Sequence, residues 1–200
     1  MNSIHPYQPF IPKDAKKLII GTIPPSRFCK EPQQLLEEDV NFYYGSRDNY
    51  FWQIIGEIFN KEFLYNNSQN AVDQRKEFLT QISAGITDTI NECIHLDNSA
   101  SDNKLKIIRY NLDLVRLLEE NPQITTLIYT SDFVKKLTYP IFKAYHTIDK
   151  SNKRNQSIKL GIRNYDVNIL HSPSPQALRN MGKNGSKKRV DQYREVFSNY

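Results

Sequence analysis

A run of aromatic side chains with amide and charged groups between them occupies residues 39–52, with the sequence DVNFYYGSRDNYFW. Aromatic faces can stack on a nucleobase, while amides can read the edge of the same base. Tyr43 and Tyr44 are the candidates for such stacking. Phe51 and Trp52 are expected in the core instead, because large aromatic side chains most often bury their surface there.

A second segment, HSPSP at 171–175, places an imidazole at the start of a stiff polar loop. His171 could donate a hydrogen bond to a developing oxyanion, and the two Ser-Pro pairs could press on a phosphate backbone. The next residues, QALR at 176–179, could supply a wedge of the kind that distorts a duplex. A lone histidine at a strand end is more often structural, so this segment alone does not decide a function.

A third segment, GTIPPS at 21–26, follows a short apolar run. Gly21 permits an unusual backbone turn, and the two prolines fix the loop that follows. A rigid loop of this type can aim backbone amides at a ligand, although the same pattern is common as a purely structural turn.

Positive charge is concentrated in the last third of the chain. Residues 143–195 hold 12 basic and 4 acidic residues, a local charge of +8, against 15 basic and 18 acidic residues elsewhere, or −3. A basic region on a mildly acidic body favours a polyanionic partner, usually nucleic acid. A solvated lysine-rich surface explains the charge equally well.

The elements that must position these segments alternate between strands and helices. Apolar runs predict strands at 18–20 and 124–130, a short strand or loop at 85–90, and a hairpin over 158–170 that turns at Arg163-Asn164. Amphipathic spacing and capping residues predict five helices, at 50–60, 70–83, 104–120, 131–145 and 186–198. This order favours an α/β domain with a largely parallel sheet. Ligands of such sheets bind where strands end, which indicates positions after Ile20, around Asp88, after Tyr129 and after Leu170.

Length and composition narrow the class of protein. Two hundred residues with 38% hydrophobic and 24% charged content suit one globular domain, assigned to residues 1–200. No apolar run approaches the roughly 18 residues of a membrane span, and no signal sequence is recognisable, so we expect a cytoplasmic monomer without a membrane partner. Cys29 and Cys93 are expected to be free thiols, and two cysteines cannot build a four-cysteine metal site.

Taken in order, the three segments resemble the motifs of the uracil-DNA glycosylase superfamily. Its Gly-x-x-Pro motif after the first strand is similar to 21–25, and its His-x-Ser-Pro-like motif after the last strand is similar to 171–175. The aromatic segment at 43–52 and the opening HPYQPFIP at 5–12 resemble the hypoxanthine (deoxyinosine) DNA glycosylase branch, and GITD at 85–88 resembles mismatch-specific members. The resemblance implies a three-layer α/β/α sandwich around a short, mostly parallel central sheet.

The resemblance also implies roles for individual residues. The water-activating Asp or Asn of the better-known branches corresponds to Ile23, which can neither hold nor polarise water. In the hypoxanthine branch an asparagine from the aromatic segment takes this role, and Asn49 stands in its place. His171 matches the histidine that contacts the base carbonyl, and Tyr43 or Tyr44, with a slight preference for Tyr44, would stack on the extruded base.

The other contacts are expected along the two loops and the basic region. The base would also meet the first motif at Gly21, Thr22 and Ile23. The resemblance implies that loop residues hold the phosphates, namely Pro24, Ser172, Pro173 and Ser174. On physical grounds, the cations of the basic region would also hold phosphates, namely Arg179, Lys183, Lys187, Lys188 and Arg189.

The chemistry implied is hydrolysis of an N-glycosidic bond in DNA without metal or cofactor. The sugar passes through an oxocarbenium-like state, so a water that is merely positioned by a neutral amide suffices. Extruding the base costs a few kcal/mol and is easiest for mispaired or damaged bases. If Asn49 does not position the water, Asp48 or Asp88 could, although an aspartate beside Arg47 more often forms a local salt bridge.

Three functions follow from these observations. The first is a monofunctional DNA glycosylase for a deaminated base, uracil or hypoxanthine. The second, motivated by Ile23, is a non-catalytic nucleic-acid-binding module of the same fold. The third is an enzyme acting on a small nucleoside or nucleotide, whose activity would survive charge reversal at Lys187 and Lys188.

Overall fold

The computed structural model describes residues 2–96, 104–143 and 157–197. The strands are β1 Ser3–Ile4, β2 Lys17–Gly21, β3 Ala84–Asp88, β4 Ile90–His95, β5 Leu105–Tyr110, β6 Thr126–Tyr129, β7 Ser157–Leu160 and β8 Arg163–Ile169. The helices are α1 Phe51–Phe59, α2 Gln69–Gln81, α3 Asp113–Glu120, α4 Asp132–Lys143, α5 Pro175–Leu178 and α6 Gly185–Phe197.

Five strands form the main sheet in the order β3-β2-β6-β8-β7. The first four are parallel, and β7 joins the edge antiparallel through its hairpin with β8. The predicted largely parallel sheet is therefore confirmed. The interior strand β2 is buried along its whole length, as expected for a strand covered on both faces.

Helices cover both faces of this sheet. Alternate residues of β2 point to opposite sides, so Ile19 packs with α1, α2 and α6, whereas Leu18 and Ile20 pack with α3 and α4. The two resulting cores are separated by the sheet, which confirms the three-layer α/β/α arrangement. Phe51 and Trp52 lie in the first core, at 0% and 1% exposure, as the sequence predicted.

A second, smaller sheet was not predicted. It has the order β1-β4-β5, with both pairs antiparallel. The prediction of one helix over 104–120 is wrong, because Leu105 and Ile107 alternate as in a strand and pack against Ile90 and Cys93 of the neighbouring strand. Only the second half of that segment is helical, as α3.

The remaining element predictions are largely confirmed. The predicted helices at 50–60, 70–83, 131–145 and 186–198 correspond to α1, α2, α4 and α6 within the described residues. The hairpin is confirmed, but its turn lies at Gly161 and Ile162 rather than at Arg163-Asn164. Gly161 has a φ of 60°, the left-handed conformation that such tight turns need and that glycine adopts without strain.

Candidate functional site

A cavity of about 230 Å³ opens at the carboxyl ends of the parallel strands. Its wall comes from three stretches of chain, at 22–25, within 42–49 and at 172–176, which are the three segments that the sequence singled out. Asp88 at the end of β3 and Thr130 after β6 complete the floor. The loops meet because parallel strands end at one edge of the sheet. Residues at or just after all four predicted strand ends therefore line this one cavity, and the binding of a ligand there stays a prediction.

Gly21 ends β2 at a point where other groups converge. A Cβ atom added there would collide with the Tyr44 hydroxyl and with one carboxylate oxygen of Asp88. The backbone must therefore pass close to both side chains, which explains the glycine without any special dihedral angle. The next residues, 22–24, line the cavity. Among them Ile23 is 9% exposed and also belongs to the apolar cluster of the small sheet.

Tyr44 is held firmly at the cavity. Its φ is 56°, an uncommon left-handed conformation for a residue with a side chain, and such strain clusters at functional sites. Its hydroxyl lies 2.6 Å from Thr130 Oγ1, which itself donates to the Ile20 carbonyl, so Tyr44 is the donor to Thr130. Its ring stacks on Phe51 with centroids 4.6 Å apart. Tyr44 is therefore the tyrosine that the structure presents to the cavity.

Tyr43 lies elsewhere. It is 2% exposed, is not among the residues that line this cavity, and packs against His5 and Tyr7 from the N-terminal segment. Burial raises the pKa of its hydroxyl. Trp52 Nε1 donates to its backbone carbonyl at 2.8 Å, which fixes the start of the aromatic segment. Of the two tyrosines considered for stacking, the geometry favours Tyr44.

Asn49 lines the cavity beside the first helix. Its Oδ1 accepts from the Phe51 amide at 2.9 Å, so the side chain is oriented at the beginning of α1. The backbone amide of Asn49 donates to the Ser46 carbonyl at 2.9 Å. The next amide, of Tyr50, donates to the Pro173 carbonyl at 3.1 Å and so ties this segment to the opposite wall. Asn49 is thus a positioned polar group at the expected place.

A buried ion pair organises the loop that carries Asn49. Asp39 is fully buried and accepts from Arg27 Nε at 2.7 Å and Nη2 at 2.8 Å, and from the Leu36 and Arg47 amides. Burial alone would raise the pKa of the Asp39 carboxyl, but these hydrogen bonds outweigh it and hold the pKa below its ordinary value. Arg27 Nη2 also donates to Ser46 Oγ at 2.8 Å, so the network reaches the cavity wall.

The two other carboxylates of the site differ in their surroundings. Asp48 is exposed at the rim and pairs with Arg27 at 3.1 Å, not with its neighbour Arg47 as expected. Asp88 is 6% exposed, and its Oδ2 accepts from His5 Nε2 at 2.8 Å. The partnership with His5 spans 83 positions along the chain, so sequence reasoning could place Asp88 at a strand end but could not find its partner.

His171 is exposed and is not among the residues lining the cavity. Its backbone amide donates to Gln192 Oε1 at 2.6 Å, and its carbonyl accepts from the Tyr193 hydroxyl at 3.1 Å. The serines and proline that follow, at 172–174, do line the cavity. The loop thus lines the cavity as expected, whereas His171 at its start does not.

The cations of the basic region fall into two groups. Arg189 was expected to grip phosphates, but it is 3% exposed and its Nη1 donates to the carbonyls of Ser172 and Ser174, both at 3.2 Å. Its guanidinium therefore supports the loop from inside, because α6 packs directly behind it. The other proposed cations are exposed: Arg179, Lys183, Lys187 and Lys188.

His95 is a site residue that sequence reasoning missed. It lines the cavity from β4, with Nδ1 2.9 Å from Ser3 Oγ. Burial lowers its pKa, and a hydrogen bond with the Pro24 backbone opposes that shift. Pairing of β4 with β1 and β5 brings it there, and only recognition of those strands could have revealed it.

None of the described helices has the length and apolar character needed to cross a membrane.

Comparisons with known proteins support the fold. No protein-family model matches the sequence, and no curated protein matches it. Among solved structures, the chain is similar to the solution NMR structure of a "putative Uracil DNA glycosylase" from Methanosarcina acetivorans. The two are 17% identical, with a TM-score of 0.62 over 98% of this chain and 99% of that one. The chain therefore shares the fold of that protein along nearly its whole length, as the resemblance of the motifs implied.

Proposed function

We propose that the protein is a monofunctional DNA glycosylase that hydrolyses the N-glycosidic bond of a deaminated base, uracil or hypoxanthine, and leaves an abasic site. The fold shared with the structure from Methanosarcina acetivorans is consistent with this class of protein. The choice of reaction is our inference from the cavity and from the motifs that surround it.

The observation that carries the proposal is the convergence of the three segments on one cavity. A cavity of roughly 150 Å³ accepts benzene, so about 230 Å³ has room for a base with one or two rings. An aromatic side chain, an oriented amide and a Ser-Pro loop line it together, through Tyr44, Asn49 and 172–174. A site for an extruded base attached to a phosphate backbone needs those three kinds of group.

In the proposed reaction, Tyr44 packs against the extruded base and Asn49 holds the attacking water. As the glycosidic bond breaks, positive charge develops on the sugar and the bonding electrons leave with the base. The carboxylates of Asp48 and Asp88 stabilise the sugar cation by their negative charge. The water adds to the sugar carbon and loses a proton to the solvent. The base, which left with the bonding electrons, takes up a proton from the solvent, so the products are an abasic sugar and a neutral base.

The leaving base needs a hydrogen-bond donor, and we assign this role to His171. Its imidazole must turn toward the cavity when DNA binds, since it is solvent-exposed in the free protein. A change of this kind is confined to a side chain and a loop, which is common on binding. Exposed cations at Arg179, Lys183, Lys187 and Lys188 would contact the phosphates on that side of the cavity.

One observation favours a second candidate, a nucleic-acid-binding module without turnover. Ile23 lines the cavity where the superfamily's usual carboxylate or amide is expected, and its side chain cannot hold water. The two candidates share the fold and the cavity and differ only in whether Asn49 is sufficient for hydrolysis.

The test uses end-labelled duplexes with a single uracil, a single hypoxanthine or only normal bases, followed by hot alkali. Alkali-dependent cleavage at the modified position, absent from the normal duplex, is the expected result, and the better substrate names the specificity. His171→Ala should slow release with either base. Intact strands at enzyme excess, with DNA still bound at low salt, would reject turnover on these bases and favour the binding module.

A further inference from the structure

We propose that Arg189 is a positioning residue that holds the loop at 172–174 against the segment carrying Asn49. This inference rests on the proposed glycosylase function for its catalytic meaning. It assigns Arg189 a part in aligning the site and removes it from the residues that contact phosphate.

The guanidinium faces the protein and not the solvent. Arg189 is 3% exposed, and one nitrogen, Nη1, donates to the carbonyls of both Ser172 and Ser174. These carbonyls flank Pro173, so a single cation spans the stretch of loop that lines the cavity. Among the described residues Arg189 forms no ion pair with an acidic side chain.

The same guanidinium reaches the opposite wall. Its central carbon lies 5.2 Å from the centroid of the Tyr50 ring, within the range of a cation–π contact. The Tyr50 amide in turn donates to the Pro173 carbonyl at 3.1 Å. The two walls of the cavity are therefore joined beside Asn49 by three mutual contacts: Arg189 with the loop, Arg189 with the Tyr50 ring, and the Tyr50 amide with Pro173.

Displacement of this arrangement would move Asn49. Its Oδ1 is oriented by the Phe51 amide, and the intervening Tyr50 peptide is the one bonded to Pro173. A misplacement of about 1 Å in a catalytic group can cost about 100-fold in rate. An arginine in this place therefore affects the chemical step more than the binding of DNA.

The two interpretations of Arg189 predict different responses to Arg189→Met. A positioning residue predicts faster hydrogen exchange of the Tyr50 amide in the free protein, and single-turnover base release slowed by about 10- to 100-fold at saturating enzyme. It also predicts an unchanged dependence of DNA affinity on salt. A phosphate contact predicts a salt slope smaller by about 0.9, with the saturated rate intact.

Arg194→Met is the matched control, because Arg194 lies on the same helix but is half exposed and pairs with Asp191. It should leave Tyr50 exchange and base release at wild-type values. Arg189→Lys keeps the charge but replaces the planar guanidinium with a single ammonium nitrogen, so it should shift exchange and rate in the same direction as Met. This variant also carries the test if Arg189→Met does not fold.

Unchanged Tyr50 exchange and rate in both Arg189 variants, or the phosphate-contact pattern, would overturn the inference while leaving the proposed function intact. A wild-type protein that releases no base would overturn the proposed function. The exchange measurement, made without DNA, would then still decide whether Arg189 holds the Asn49 segment.

Discussion

Gly21→Ala is expected to destabilise the protein and to distort the floor of the cavity. The added methyl group would overlap the Tyr44 hydroxyl and the Asp88 carboxylate. Neither group can withdraw easily, because Tyr44 donates to Thr130 at 2.6 Å and Asp88 accepts from His5 at 2.8 Å. The substitution therefore tests whether the close approach at the end of β2 is real.

The size of the effect follows from the packing. Adding a methylene to a well-packed interior costs about 1–3 kcal/mol of the free energy of unfolding. Loss of the hydrogen bond from Tyr44 to Thr130, at about 1 kcal/mol, falls within that range. In a chain of 200 residues each kcal/mol lowers Tm by about 2–4 °C. We expect a decrease in Tm of about 2–12 °C.

The assay is thermal and urea unfolding of four proteins: wild type, Gly21→Ala, Tyr44→Phe and the double variant. Tyr44→Phe removes one of the two overlapping groups, so the double variant should lose less stability than the sum of the single variants, by about 0.5–3 kcal/mol. A Gly21→Ala protein that melts like the wild type, or strictly additive losses, would refute the close approach described here.

Two further predictions concern the supports of the cavity. Asp39→Asn should lower the free energy of unfolding by about 3 kcal/mol in urea titrations at neutral pH, because it leaves the charge of Arg27 without its buried partner. Folding lowers the Asp39 pKa, so the carboxylate contributes to the free energy of unfolding above its ordinary pKa of about 3.9. This contribution is lost as the pH falls through the pKa of the folded protein. Asp39→Asn should therefore cost less stability at pH 2.5 than at pH 7, and equal costs would contradict this prediction. Folding also lowers the pKa of His95, so the unfolded chain takes up a proton near pH 6.5 while the folded protein does not, and stability should fall as pH drops below about 6.5. His95→Gln should flatten this dependence between pH 7.5 and 5.5, and an unaltered pH profile would exclude His95 as its source.

Sequence patterns were sufficient for the parts of the fold that depend on local signals. Buried apolar runs located β2 and β6, and the strand-end rule placed 21–26 and 171–175 at one edge of the sheet. The aromatic segment, which leads directly into α1, lines the same cavity through residues within 42–49. These predictions succeeded because hydrophobic periodicity and loop chemistry are read over a few residues.

The small sheet was missed because its strands carry a mixed pattern. In β5, Lys106 and Arg109 alternate imperfectly with apolar residues, and the segment continues into α3, so helical spacing explained both halves. Only pairing with β4 distinguishes the two, and pairing is a non-local property. His95 was missed for the same reason, since its place at the cavity depends on that pairing.

The sequence also could not predict the direction in which individual side chains point. Tyr43 and Tyr44 are adjacent, yet the left-handed backbone at Tyr44 sends one ring to the core and the other to the cavity. The sequence predicts that Arg189 is a surface cation, because it lies in a basic region. On helix α6, however, its side chain is buried beneath the loop at 172–174. Such choices are set by tertiary contacts and not by residue type.

The central claim is that Asn49 holds the attacking water, and single-turnover base release by Asn49 variants tests it most directly. Asn49→Ala removes both the amide and the acceptor for the Phe51 amide, whereas Asn49→Asp keeps an acceptor there and adds a carboxylate able to activate water. We expect Asn49→Ala to slow release by about 100-fold, the cost of losing the position of a reacting group, and Asn49→Asp to retain release. Wild-type rates in Asn49→Ala, on whichever base the wild type releases, would contradict the account.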